Sequence, residues 1–526
     1  MKRFSVYGLF RGMLCAVSVA AVYFIFLLNF IYNASVSYDA AEKVSIDGHL
    51  FHSHLMVLVA LAILVILALT GKYLSRLDPK VLFAAFSVCY VAMAFYLILN
   101  VDHGIRADAA TVFSWAKAVT NGNFGTFEVG GYLNRYPHQT GLLLYDMMLQ
   151  KIAPYPATSF VANFFFVLGI NACSALTAHT LFENRVVTHL TIILSFAFLP
   201  QFFFILFAYG LTPGFFFMIL AFYHAVHFTK THKIRNIAFA VIGASLAVCF
   251  KQNFLIGAIA ILIYWFLHLL KDLSLKALIK PIAAILALLL LVSVPSALVS
   301  RYFEEKSGIE AGEGTPAVLW IAMGTDIDNR VRGAGWYNSY NYNTFTSANY
   351  DNEIAAQMGA EKLKENLEKI KEDPTRATTF FKDKTISQWC EPMFQSVWSG
   401  PLENCKQYTH TELLQSIYNG GEVEDRIEAL SKLILLIVFG FTLVFLLLYR
   451  KKCEGWELLT LFFIGGLIFH TFWEGKSQYT YPYVFCMIPL AAYAMYALSQ
   501  AVAAKKERIF PKKEAKNEIS EETEEI

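Results

Sequence analysis

Apolar runs long enough, or nearly so, to cross the ~30 Å hydrocarbon core of a bilayer recur along this chain, and no other feature constrains its fold as strongly. They lie around 13–32, 53–71, 81–99, 157–180, 186–207, 210–228, 235–250, 253–270, 281–299, 430–449, 457–473 and 482–502. A helix closes its backbone hydrogen bonds within its own segment, so the expected fold is an all-α polytopic membrane protein with about 12 transmembrane helices. The composition agrees: 526 residues that are 56% hydrophobic and 16% charged are too apolar for a soluble chain. The first run follows Lys2, Arg3 and Arg11 and exceeds the ~7–15-residue apolar core of a signal peptide, so it reads as an uncleaved span.

Basic residues sit in alternate connections. Lys72, Arg76 and Lys80, then Lys230, Lys233 and Arg235, then Lys271, Lys276 and Lys280, then Arg450, Lys451 and Lys452 all fall on the side of the basic N-terminus. The positive-inside rule places that side, with both termini, in the cytoplasm of a multi-pass cell-membrane protein. Connections 100–156 and 300–428 and the turn from Trp473 to Tyr481 then face outward together. The expected organisation is a transmembrane region 1–299 with a first large outer loop 100–156, an extracytoplasmic loop domain 300–428, C-terminal transmembrane helices 429–502 and a cytoplasmic tail 503–526. Cys390 and Cys405 are expected outside and Cys453 inside; whether the outer two join in a disulfide depends on geometry that spacing does not fix.

A semi-apolar stretch, 137–151 (PHQTGLLLYDMMLQK), is short, carries Asp146 and would invert every later connection if it crossed. It is placed as an interfacial or re-entrant helix on the outer face. Within the insert, 351–373 (DNEIAAQMGAEKLKENLEKIKED) sets Glu and Lys at i,i+4 spacings ahead of Pro374 and predicts a solvated surface helix. Past Lys505 the tail mixes Lys and Glu without apolar periodicity, as unstructured sequence does. The formal net charge of +2 hides this segregation of signs and gives no support to nucleic-acid binding. Walker A, HExxH, GxSxG and paired CxxC patterns are absent, which disfavours a nucleotide-driven or zinc enzyme.

The candidate chemistry lies in the outward connections. Asp108 precedes an apolar-periodic run, Ala109 to Val119, where an N-cap would stand. There a carboxylate can simply accept backbone N–H groups, or it can also take a proton from an incoming hydroxyl. Asp102, directly after the third run, is a second candidate or an interface marker. Arg135 and His138 come with two tyrosines in GGYLNRYPHQ; a guanidinium there matches a substrate phosphate or a lipid headgroup equally well. Lys251 and Asn253 interrupt an apolar hairpin, where a charge either snorkels to the interface or marks a site. Glu474, Lys476 and Tyr479 occupy the last outer turn.

Carboxylates, cations and aromatics on one face of a helical bundle suit an anionic, sugar-bearing lipid. The chain resembles the C-type (GT-C) superfamily of membrane glycosyltransferases, which includes protein O-mannosyltransferases and aminoarabinose transferases, and especially bacterial relatives acting on envelope glycans. The resemblance rests on the acid before an amphipathic helix at Asp108, on GGYLNRYPHQTGLLLY, on FKQNFLIG as a Lys-x-Asn turn, and on TPAVLWIAMG, GWYN and WEGKSQYTYPY. Lys476 and Gln478 stand where relatives often carry arginine near the final Tyr-Pro, and the adjacent Asp-Glu pair of the mannosyltransferases is missing.

The resemblance implies transfer, with inversion, of a sugar from a polyprenyl-phosphate donor to an envelope glycan or another acceptor hydroxyl on the outer face. It implies Asp108 as base and Lys251, Arg135 and Lys476 as phosphate ligands. No cofactor is required by it. A divalent metal is an open option for which Asp102, Asp108, Asp326, Asp328 and Glu474 are the available acids. Membrane lipid, the lipid-linked donor and the acceptor are the expected partners, and nucleic acid is not. The alternatives are a polymerase or ligase using polyprenyl-diphosphate-linked glycans and, from another class, a lipid or solute transporter or flippase. A transporter should carry its charges at mid-membrane, whereas these cluster at one face.

Overall fold

The computed structural model describes residues 6–37, 41–401 and 408–509. These are almost entirely helical. Among them nine helices are long and apolar enough to cross a membrane, the make-up of a multi-pass membrane protein: Val6–Ile31, Leu50–Leu74, Pro79–Leu99, Pro156–Phe182, Leu211–Thr231, Gln252–Leu269, Leu275–Ser307, Glu422–Lys452 and Tyr481–Lys505. A bent pair, Arg185–Ala197 and Leu199–Leu206, would make a tenth. All twelve apolar runs are helical, but Ile234–Phe250 and Trp456–Phe472 have only 17 residues each. At ~1.5 Å per residue they reach about 25 Å, short of a full crossing. The expected twelve spans therefore reduce to about nine.

The 53° bend has a local cause. Pro200 has no N–H to give to the Phe196 carbonyl one turn earlier, so the ladder opens there. The Tyr90 hydroxyl, from the neighbouring helix, supplies the missing donor to Phe196 O at 2.5 Å. The bend carries the chain into the turn that holds Tyr209. Burial separates the helices into centre and rim: 67% of the apolar stretch of Glu422–Lys452 and of Tyr481–Lys505 is enclosed, against 11% for Leu275–Ser307.

The fold departs from all-α in one place. Tyr32–Val36 pairs antiparallel with Val44–Gly48, in register Tyr32 opposite Gly48 and Val36 opposite Val44. Tyr32, Ala34 and Val36 alternate with Asn33 and Ser35, the period of a half-buried strand. Ala34 packs on Ile386 and Cys390, and Val36 on Trp336 and Trp398. Backbone bonds from Ala34 to Cys390 O at 3.3 Å and from Val44 to Arg332 O at 2.8 Å fix the hairpin to the insert.

Within the insert, helix Asn352–Glu372 begins at Asp351, whose side chain accepts from Ile354 N at 3.0 Å. One side of this helix is not solvated. Asn366 donates to Ala322 O at 2.7 Å, and Lys362 and Lys369 reach Asp326 and Asp328 at 3.4 and 2.8 Å. Helix Pro374–Trp389 follows at once. The 137–151 stretch forms helix Thr140–Ile152, which packs on helix Ala107–Thr120 and on Val294–Ser307 with Asp146 buried. The C-terminal helix runs on to Ile509, so the expected tail is helical to that point and otherwise lies outside the described residues. Cys390 is a free, fully buried thiol, and Cys405 also lies outside the described residues.

Candidate functional site

Residues from six separate connections line one cavity of about 1120 Å³ at the end of the bundle that carries the insert. Asp108, Arg135, His138, Lys251, Asn253, Glu474, Lys476 and Tyr479 all face it. The cavity also runs along the flank of Gln252–Leu269 and Leu275–Ser307, past Ile256, Ile259, Ser296 and Ala297.

Asp108 belongs to the first turn of helix Ala107–Thr120, whose cap position is Arg106 rather than Asp108. The expected capping role is therefore not the one it fills. Its carboxylate is exposed to the cavity and takes no hydrogen bond from the described residues. The helix dipole still favours a negative charge there. Ala107 beside it has φ 54°, a left-handed conformation costly for a non-glycine residue, of the kind that persists where surrounding structure over-determines it. Arg106 provides that fixation: its guanidinium lies 3.6 Å from the Trp398 ring centroid and donates to the Trp398 carbonyl.

Lys251 is extended between helix Ile234–Phe250 and the turn at 252–254. Two glycines press on the last turn of the helix before it. A Cβ on Gly141 would sit 2.1 Å from Cys249 O, and one on Gly210 would sit 2.1 Å from Phe250 O. Only hydrogen at these positions lets helix Thr140–Ile152 and the Tyr209 turn close on that helix end. The ammonium then lies 4.3 Å from the Tyr209 ring centroid and 5.2 Å from that of Tyr479, with no carboxylate in ion-pair contact among the described residues. Burial and the charge on Lys476 pull it down to about 7 against Asp108 and Glu474. Gln139 donates to the Tyr209 hydroxyl and holds that ring in place.

Arg135 spends Nε on Gly130 O at 3.1 Å and stacks 4.8 Å from Tyr342 and 5.2 Å from Tyr136. Its terminal nitrogens have no hydrogen-bond partner among the described residues, which leaves the bidentate edge of the guanidinium available. Glu474 is 4% exposed with no hydrogen bond to a described residue. Burial, then the neighbouring Glu42 and Asp108, raise it to about 7 although Lys476 opposes them.

The turn that presents Glu474 and Lys476 is stitched to the insert. Gly475 N donates to Gly335 O at 2.8 Å, and Lys384, fully enclosed, donates to the carbonyls of Gly324, Thr471 and Trp473 at 2.5, 3.0 and 2.6 Å. Glu391 accepts from Ser477 Oγ at 2.7 Å and from the backbone N of Met393 and Gln395 at 2.8 and 2.6 Å.

Asp102 stands apart from this assembly. It accepts from Tyr408 N at 3.3 Å and meets His410 at 3.0 Å, so it pins the returning insert instead of lining the cavity. Asp326 and Asp328 are likewise engaged, by Lys362, Lys369 and Arg376. Among the described residues no group of three His, Cys, Asp or Glu side chains is placed to hold a metal ion. Glu42, Tyr209, Arg332, Tyr337, Trp320 and Trp398 line the cavity as well, and sequence reasoning gave none of them a site role. TPAVLWIAMG and GWYN carry Trp320 and Tyr337, and the alternation in 32–36 marks the hairpin that bears Glu42; Tyr209, Arg332 and Trp398, separated in loops, carry no such signal.

The arrangement offers an open carboxylate that can take a proton, a second buried carboxyl, and cations with free N–H groups that can hold an anion, beside an apolar flank. No known protein-family profile matches this chain, and no curated protein sequence matches it significantly.

Proposed function

We propose that this chain is a GT-C-type membrane glycosyltransferase that moves a sugar from a polyprenyl-phosphate donor to a hydroxyl of an envelope glycan or another acceptor on the outer face. One observation carries the reading: Asp108, Arg135, Lys251, Glu474 and Lys476, far apart in the chain, line a single cavity whose far wall is the apolar flank of two membrane-type helices. The isoprenoid lies along Ile256 and Ile259 and its phosphate meets Lys251, Arg135 and Lys476. The acceptor oxygen attacks the anomeric carbon and gives its proton to Asp108. The bond from that carbon to the phosphate oxygen breaks, the configuration inverts, and the cations take up the charge on the departing polyprenyl phosphate. The cavity end faces outward and both termini lie in the cytoplasm.

Radiolabelled polyprenyl-phosphate sugars supplied to membranes containing the protein, with and without chelator, test this. Transfer of label to endogenous acceptor, lost in Asp108→Asn, is the expected result. Label that stays on the donor, or crosses the membrane still lipid-linked, overturns it.

A further inference from the structure

Glu42 sits on the hairpin between the first two helices, 2% exposed, with its carboxylate against the cavity wall. Three side chains hold it: Lys476 Nζ at 3.0 Å from the last turn, and Arg332 and Gln395 Nε2 at 3.3 and 3.1 Å from the insert. Gln395 Oε1 in turn accepts from Gln478 N at 3.3 Å, so the carboxylate and the turn that bears Lys476 are fixed in one frame. An ammonium has three N–H donors, and Glu42 takes one. The other two have no partner among the described residues and are available to a ligand.

We propose that Glu42 is a positioning residue, which holds and aims the Lys476 ammonium so that the cavity presents it to a phosphate headgroup beside Lys251. This rests on the reading that the cavity binds a phosphate-headed lipid. The groups facing Lys476 are Glu42, Glu474 and Asp108 as acids, Lys251 as a cation, and Tyr209. Burial pulls the Lys476 ammonium down, but Glu42 first, then Glu474 and Asp108, more than reverse it and hold it above the usual lysine range. Of these acids only Glu42 is in ion-pair contact among the described residues. Without its charge, only the more distant Glu474 and Asp108 oppose burial.

The test uses the full-length protein in lipid nanodiscs. Competitive acetylation across pH, read by mass spectrometry, reports when Lys476 loses its proton, and farnesyl phosphate serves as the binding probe. In Glu42→Gln, Lys476 is expected to titrate well below its wild-type position. Affinity for farnesyl phosphate should fall about tenfold or more at alkaline pH and recover on acidification. Lys476→Met should reproduce the alkaline loss, and combining the two should add nothing further. Unchanged titration of Lys476 in Glu42→Gln, or an equal loss of affinity at every pH, overturns the proposal, since a purely structural Glu42 would give the latter. If Glu42→Gln does not accumulate, Glu42→Asp replaces it, with a smaller downward shift expected and no shift fatal. Failure of the wild type to bind farnesyl phosphate overturns the ligand reading, while acetylation still decides whether Glu42 governs Lys476.

Discussion

At the end of the bundle near the N-terminus, Arg11 meets Glu457 at 2.5 Å and donates to the carbonyls of Cys453 and Arg450 at 2.6 and 3.1 Å. Glu457 also accepts from Gly455 N at 2.7 Å, and Lys271 pairs with Glu454. At the cavity end Lys251 has only ring faces for company, and Asp108 and Glu474 have no hydrogen-bond partner among the described residues. Both ends hold charge in partly enclosed surroundings, yet the first pairs Arg11 with Glu457, whereas the cavity end pairs Glu42 with Lys476 and Arg332 and leaves Asp108, Lys251 and Glu474 open. Closed sets stabilise. Open sets are held by the surrounding fold at a cost in stability, which is the signature of groups reserved for a ligand.

The sharpest way to break this comparison is Asp108→Asn. If the cavity charges serve chemistry, transfer should fall about 10²–10⁴-fold with insertion and thermal stability unchanged. Near-normal turnover would remove Asp108 as the base. The converse belongs to the other end: Arg11→Ala strands Glu457, 1% exposed, and should cost about 3–5 kcal/mol of stability, while the small amount that survives purification keeps its affinity for donor. Denaturation in detergent measures the first part, and a loss of donor affinity in the surviving fraction would blur the distinction between the ends.

A pH series sharpens the contrast further. With Lys251 near 7, protonation is incomplete at neutrality, and a phosphate favours the charged form, so binding takes up a proton. Affinity for a polyprenyl phosphate should rise about three- to tenfold as pH falls from about 8 to about 6. Glu474, near 7 as well, acts in the same direction, since its charge above that pH repels the ligand. Lys251→Met together with Glu474→Gln should flatten the profile, and a profile as steep as wild type would place the titrating group elsewhere. The smallest effect is expected at Asp102→Asn. Its bond to His410 is half exposed and worth about 0–1 kcal/mol, so activity should change less than about threefold. A loss as large as that of Asp108→Asn would return Asp102 to the site.

Long-period signals carried much of this architecture. Apolar runs located every membrane-type helix, and charge in the connections singled out Arg135, Lys251, Glu474 and Lys476, because a cation or acid next to a span is conspicuous in any sequence. Short-period signals did not carry. The alternation of Tyr32, Ala34 and Val36 covers only five residues just past the end of a long apolar run, too few to mark a strand. Asp102 and Asp108 look alike in sequence; only the return of Tyr408 and His410 to one of them separates a clasp from an open carboxylate. The crossing count fell because helicity and apolarity do not fix length: both 17-residue helices keep their pattern to ends that the bilayer would need extended.

The contact between Glu42 and Lys476 joins the first tenth of the chain to its last tenth, and so gives the protein a clock. At ~5–20 residues per second, a ribosome needs about 20 to 90 seconds to get from one to the other. Throughout that interval the hairpin carries a carboxylate without the Lys476 ammonium, and Arg332 and Gln395 arrive only part-way through. The electrostatic interior of the cavity is therefore completed by almost the last interhelical turn to be synthesised. A chain truncated between Gln395 and Lys476 retains most of its helices but holds Glu42 through Arg332 and Gln395 alone, without the ammonium, a mark by which an unfinished product differs from a finished one.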